Sequence, residues 1–418
     1  MSSLRDSEMP DAVIGILDQA LLAAVSFIII YFYLRYSDPT QYGIYLVITN
    51  FALLIQAIQA ALILTPMQAV LPALQKDECV VLAGGFRKIS VIIAIVGAFI
   101  VPILLLKEVG TSTSLLVVAA AYTLSLTLRL QARAQFYSKL TAHKGLKQTV
   151  LYCGLLLTCL GILKHYAHLS TVSIIGVLAI SSIIASLAQG GIFPEKSSNS
   201  LRETIAQIYR FWTWTLIGAG ASWLQSNIYL LAMYLTADLH DVGVVGIGRV
   251  FLLPVNLVFA GLGAAMRPHF SRRMSNHEIR SLKKLFTRIL LLAGAFMGCY
   301  SLIAGLMIRY IPVTAVPAKY VEAIPYVLFW LVDSIFLAIY LLAAIILVAA
   351  AKFRSLALIT LFTAITGCGL VLVMTGHYGT RGILFAQLFA DAIQALVAMY
   401  IARKTLRFIS EGVVDEKI

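Results

Sequence analysis

Apolar residues cluster along the chain in runs of about 20, the length a helix needs to cross a bilayer core. The runs occupy 12–34, 43–65, 89–106, 114–133, 147–164, 172–193, 211–235, 242–266, 286–308, 323–347, 355–375 and 380–402. The pattern predicts twelve membrane-spanning helices. The shortest polar gaps, 348–354 and 376–379, predict tight helical hairpins, and no gap is long enough for a soluble domain. The first run follows a mixed-charge start (Arg5, Asp6, Glu8) and is interrupted by Asp18 and Gln19. It ends in Tyr31-Phe32-Tyr33-Leu34-Arg35, an aromatic interface belt, so it reads as a retained span and not a cleaved signal.

Composition agrees. Of 418 residues, 60% are apolar and only 12% charged, about half the charge of a soluble domain. Mean hydropathy is +0.91. An ordinary soluble enzyme, a disordered chain and a disulfide scaffold are excluded. The five cysteines form no CxxC pair and read as small packing residues. The net charge of +13 is explained by Lys and Arg held in cytoplasmic loops, and nucleic acid is not expected as a partner.

Placing both termini on one side puts 25 of the 32 Lys and Arg there and six on the other, with Arg249 inside a span. That asymmetry predicts an even number of spans with cytoplasmic ends.

Two stretches 200 residues apart resemble each other: SDPTQYG at 37–43 and ADLHDVG at 237–243. Asp38 falls on Asp238, Gly43 on Gly243 and Gln56 on Asn256. Pro72 and Pro268 each follow the next span. The pattern predicts two parallel six-helix halves, 1–197 and 198–418. Transporters built this way bind substrate near mid-membrane.

No ATP-binding loop, zinc-protease motif or paired-carboxylate soluble site is present, so neither an enzyme nor a cofactor is expected. His165-x-x-His168 has no third ligand near it and reads as a solvated loop; no metal site is expected. Gly294-x-x-x-Gly298 predicts close helix packing.

The informative residues are polar groups inside spans, where a charge costs on the order of 2.5–3.5 kcal/mol. Arg249 reads either as an anion-binding base, whose planar fork suits phosphate, or as a structural ion pair with Asp333 or Asp391. Those two aspartates read as packing partners or as carriers of protons or cations. Asp18 reads as snorkelling or cavity-lining. Gln56, Gln59, Asn256, Gln225 and Asn227 read as substrate-binding amides or interhelical ties. Pro254 and Pro102 free backbone carbonyls and allow bends. The basic stretch 267–288 reads as an amphipathic helix on the inner leaflet.

Several short motifs carry a family resemblance. The first connector reads Asp38-Pro39-Thr40-Gln41-Tyr42-Gly43-Ile44-Tyr45. The eighth span ends in Arg267-Pro268-His269-Phe270-Ser271-Arg272. Lys319 to Pro325 reads KYVEAIP, and Tyr378 to Gly382 reads YGTRG. The chain resembles the Wzx-type polysaccharide exporters of the multidrug/oligosaccharidyl-lipid/polysaccharide (MOP) superfamily. The resemblance implies an all-α MATE-like fold with a V-shaped cavity between two six-helix bundles. It implies flipping of undecaprenyl-pyrophosphate-linked oligosaccharide repeats across a bacterial inner membrane. Arg249, Asn256, Gln56, Gln59, Asn227 and Asp18 are the candidate substrate-binding residues, and Asp333 and Asp391 the candidates for coupling to H+ or Na+. Partners would be the lipid-linked sugar, the bilayer, and polysaccharide polymerase and chain-length proteins. The rival readings are a cation-coupled drug antiporter and a non-transporting subunit of a polysaccharide synthesis complex.

Overall fold

A computed structural model describes residues 5–64, 66–67, 76–109, 112–138, 141–166, 170–188, 201–256, 258–259, 262, 279–310, 318–350 and 352–410. Among these residues there is no strand. In chain order the helices are α1 (Arg5–Tyr36), α2 (Pro39–Gln59, continued as a π turn over Ala60–Leu64), α3 (Lys76–Val109), α4 (Thr113–Ser138), α5 (Ala142–Tyr166) and α6 (Thr171–Ala188). Next come α7 (Leu201–Thr236), α8 (Leu239–Gly248, continued as a 3₁₀ turn over Arg249–Leu252), α9 (Ile279–Tyr310), α10 (Ile324–Ala349) and α11 (Phe353–Ser410).

Helix α11 is two spans. Gly379 breaks it with φ 55° and ψ −137°, a conformation that glycine adopts without strain. Thr360 and Gln394, 34 residues apart, lie 3.5 Å from each other across the two arms. The arms are therefore antiparallel, and the hairpin predicted at 376–379 is formed. A side chain at Gly382 would strike the Met374 carbonyl, so this turn also needs glycine there.

The repeated connector has the same geometry in both places. Asp38 precedes α2 with φ −83° and ψ 158°, and Asp238 precedes α8 with φ −78° and ψ 152°. The Asp38 carbonyl accepts from Tyr42 N–H at 3.1 Å, and the Asp238 carbonyl from Val242 N–H at 3.2 Å.

The expected eighth span begins regularly but tightens at Arg249. Pro254 has no N–H for the Val250 carbonyl, which accepts from Leu253 N–H instead. The ladder thus shortens to a 3₁₀ turn just before the proline. The Gly294/Gly298 expectation is corrected: a Cβ at either position would meet nothing within 4 Å. Pro72, Pro268 with the Arg267–Arg272 motif, residues 267–278 of the expected amphipathic stretch 267–288 and the expected boundary at 197/198 lie outside the described residues.

The chain divides into two compact units, Met1–Gly220 and Ala221–Ile418. In the first, a core of Ile63, Met67, Leu82, Phe86 and Ile89 joins α2 to α3. Trp212, early on α7, donates to the Leu62 carbonyl at 3.0 Å. In the second, Val255, Phe259, Ile289, Leu342, Ile346 and Met399 pack together. Among the described residues, nine helices are long and apolar enough to cross a membrane, the double-length α11 being one of them. Large apolar side chains such as Phe99, Leu292 and Leu372 stand exposed, which is favourable only in lipid. The chain is a multi-pass membrane protein.

Candidate functional site

In the second unit, the tight connector after Thr236 lays α8 back along α7. This brings Arg249 against the last three turns of α7. One guanidinium nitrogen, Nη2, donates to the Ser226 carbonyl at 2.7 Å. The other, Nη1, donates to Asn227 Oδ1 at 3.3 Å and to the Tyr229 hydroxyl oxygen at 3.2 Å. The cation also lies 5.0 Å from the Tyr229 ring and 5.6 Å from the Trp330 ring, within cation–π range. Trp330 is held by its own N–H, which donates to the Val245 carbonyl at 3.0 Å. Gly248 leaves the space that lets α8 close on α10: a Cβ there would sit 2.8 Å from Trp330 Cδ1.

Arg249 thus rests on neutral acceptors and aromatic faces. Among the described residues no carboxylate lies within ion-pair distance of it, so the alternative of a pair with Asp333 or Asp391 is not formed in this structure. The residue is half-buried. Its Nε–H and one Nη2 hydrogen remain outside these bonds.

Asp333, buried on α10, and Asp391, on the second arm of α11, stand close together. Asp391 accepts from Gln225 Nε2 at 2.7 Å through Oδ1 and from Gln387 Nε2 at 2.5 Å through Oδ2. Gln387 Nε2 further reaches the Gln225 carbonyl at 3.0 Å. This buried cluster contains three oxygens without a hydrogen-bond partner: Asp333 Oδ1, Gln225 Oε1 and Gln387 Oε1. Gly367 faces the same place, its missing Cβ 3.9 Å from Gln225 Oε1.

The other candidates fall elsewhere. Asn256 and Pro254 are exposed just past the 3₁₀ turn. Gln56 is half-buried on α2. Gln59 is fully buried and donates to Ser90 Oγ at 2.6 Å and to the Thr127 carbonyl at 2.9 Å. It ties α2 to α3 and α4, and it is closed to a ligand in this state. Asp18 neither snorkels nor lines an open surface. It is fully buried and accepts from Arg133 Nε at 2.7 Å, from Arg133 Nη2, and from the Tyr137 hydroxyl at 2.7 Å.

Sequence reasoning misses several participants. Gln387 is signalled only by its place one turn before Asp391. Tyr229 and Trp330 look like packing aromatics in an apolar run. Arg87, Arg129 and Arg133 enter the charge asymmetry as loop residues of the cytoplasmic side. Instead Arg87 and Arg129 are buried within the first unit, Arg87 Nη2 donating to Gln135 Oε1 at 2.6 Å.

No protein-family profile matches the sequence, and no curated protein matches it. Solved structures do match the fold. A multidrug resistance MATE family transporter of the MOP superfamily, in an inward-facing conformation, superposes with a TM-score of 0.70 at 13% identity, over 97% of this chain and 96% of that one. The lipid II flippase MurJ in an inward closed conformation matches with a TM-score of 0.64 at 13% identity, over 98% of this chain and 90% of that one. A MOP superfamily transporter from Pyrococcus furiosus, described by the reverse polarity of its binding pocket, matches at 0.62 and 12% identity, over 95% of both chains. The fold is that of the MOP superfamily transporters. It is shared by drug transporters and a lipid flippase alike.

Proposed function

We propose that the chain is a flippase that moves undecaprenyl-pyrophosphate-linked oligosaccharide repeats across a bacterial inner membrane by alternating access. Both termini are cytoplasmic in this reading, and the halves 1–197 and 198–418 are its two moving lobes. The observation that carries it is Arg249: a half-buried guanidinium inside a span, resting on neutral acceptors with N–H groups left over. Such a fork suits a pyrophosphate better than a cationic drug. Asn227 orients it, and the exposed Asn256 and half-buried Gln56 are the amides placed to meet sugar hydroxyls. Polymerase and chain-length proteins would receive the flipped repeat.

The test is made in cells whose only flippase of this class is the chain itself. Its loss should accumulate undecaprenyl-pyrophosphate oligosaccharide, read by mass spectrometry, and abolish surface polymer. Wild type should restore both, Arg249→Lys in part, and Arg249→Ala not at all. Full rescue by Arg249→Ala would mean that Arg249 takes no part in transport, as for a non-transporting subunit. Normal lipid and polymer levels without the chain would sink the flippase reading.

A second reading, a cation-coupled small-molecule antiporter, is favoured by the acid-amide cluster. Hard cations take oxygen ligands, and the cluster offers three unpartnered oxygens beside the Asp391 carboxylate. In the flippase reading the same groups, Asp333 and Asp391, serve coupling to H+ or Na+.

A further inference from the structure

The first unit contains a charge pattern that its present pairing leaves unbalanced. Asp18 on α1 is bound by Arg133 and Tyr137 through one carboxylate oxygen, Oδ2. Its other oxygen, Oδ1, is buried without a hydrogen-bond partner. One turn away on α4 lies Arg129, also buried, whose Nε is likewise without a partner. Among the described residues no carboxylate pairs with Arg129. Its guanidinium carbon lies over the Tyr152 ring instead, 3.7 Å from the centroid. A buried cation balanced by an aromatic face alone is costly, and so is a buried carboxylate oxygen left bare.

The two unmet groups are one helical turn apart. Arg129 and Arg133 are four residues apart on α4, a rise of about 6 Å. Leu21, one turn after Asp18 on α1, faces Cys153 with its carbonyl at 4.0 Å from the thiol. Tyr152, the neighbour of Cys153 on α5, is the ring beneath Arg129. The turn of α1 just beyond Asp18 is therefore level with Arg129. A slide of α1 by one turn toward its own C-terminal end would carry the Asp18 carboxylate from Arg133 to Arg129. Helix α1 packs chiefly along α5, and its span is the least buried of the first unit; its Tyr33 ring packs on Tyr42 and Tyr45 of α2, so the start of α2 moves with it.

We infer that Asp18 is a travelling counter-ion: it pairs with Arg133 and Tyr137 in this state and with Arg129 in a second state, in which α1 has moved by one turn. Two discrete pairings one turn apart make a two-position ratchet, and not a continuous deformation. While Asp18 is away, the Tyr152 ring holds Arg129. The inference is independent of the substrate.

The test measures the position of α1 directly. Spin labels go on Tyr31→Cys and Val150→Cys, both exposed, in full-length protein whose native cysteines are replaced by Ala, in nanodiscs. Tyr31 is 13 residues beyond Asp18, so the label pair is separated along the helix axis and a slide of α1 changes its distance almost fully. Arg129→Gln should give the single distance of the state described here. Arg133→Gln should lengthen it by about 5 Å, one helical turn. Tyr137→Phe, which keeps every charge and guards against a folding failure of Arg133→Gln, should raise the population of the longer distance. Equal distances in the Arg129→Gln and Arg133→Gln proteins, with Tyr137→Phe matching both, would overturn the ratchet and leave Arg129 to another anion.

Discussion

Asp38 and Asp238 hold the same backbone conformation at the same point of the two units, within 6° in both φ and ψ. The helices they open then diverge. Position 49 is a threonine whose hydroxyl donates to its own helix, to the Tyr45 carbonyl at 2.8 Å. Position 249 is an arginine that reaches across to α7. The duplicated frame thus holds a threonine at this position in the first unit and an arginine in the second.

That cation depends on Gly248. A methyl group there would meet Trp330 Cδ1 at 2.8 Å and the Tyr326 backbone carbonyl carbon at 3.1 Å. Gly248→Ala should cost about 1–3 kcal/mol, as overpacking does, and displace Arg249 from Ser226. Gly298→Ala, with open space around it, should be neutral or stabilising. Thermal unfolding of the detergent-solubilised variants checks both.

Arg129→Gln combined with Arg133→Gln should be among the most damaging changes in the first unit. It leaves the buried Asp18 carboxylate without a cation in either position, and breaking a buried pair from one side costs about 3–5 kcal/mol. Asp18→Asn added to it should recover a good part of that loss. A double-mutant cycle on unfolding midpoints measures the coupling.

Gln59→Leu removes the amide that joins α2 to Ser90 on α3 and to the Thr127 carbonyl on α4. Interhelical hydrogen bonds in membranes average about 0.6 kcal/mol, so a loss of about 1 kcal/mol is expected for the two. Transport should persist, because Gln59 is closed to ligand in this state. Surface-polymer complementation beside a stability measurement checks it, and a fully stable but inactive variant would contradict the structural role.

Asp391→Asn keeps the shape of the acid-amide cluster and removes its fixed negative charge. Transport by the variant, reconstituted in vesicles, should lose its response to an imposed proton or sodium gradient, and Asp333→Asn should do the same. Gradient response retained by both would remove these residues from coupling.

The all-helical, membrane-crossing character of the chain and the order of its helices were legible because run length is a local property. Each helix closes its backbone hydrogen bonds within itself, and in a bilayer it must. Local, too, were the hairpin at Gly379, the repeated connector at Asp38 and Asp238, and the disturbance before Pro254. The partners of the buried charges were not legible. Asp18 and Arg133 are 115 residues apart, and Gln225 and Asp391 are 166 apart. The helical period says which residues share a face. It does not say which face of one helix meets which face of another, because a nearly uniform apolar surface leaves rotation about the helix axis open. Packing sets that rotation. Only the tertiary structure therefore decided that Arg249 rests on Ser226, Asn227 and Tyr229 and not on a carboxylate, and that Asp18 is spoken for by Arg133 while Arg129, one turn away, is not.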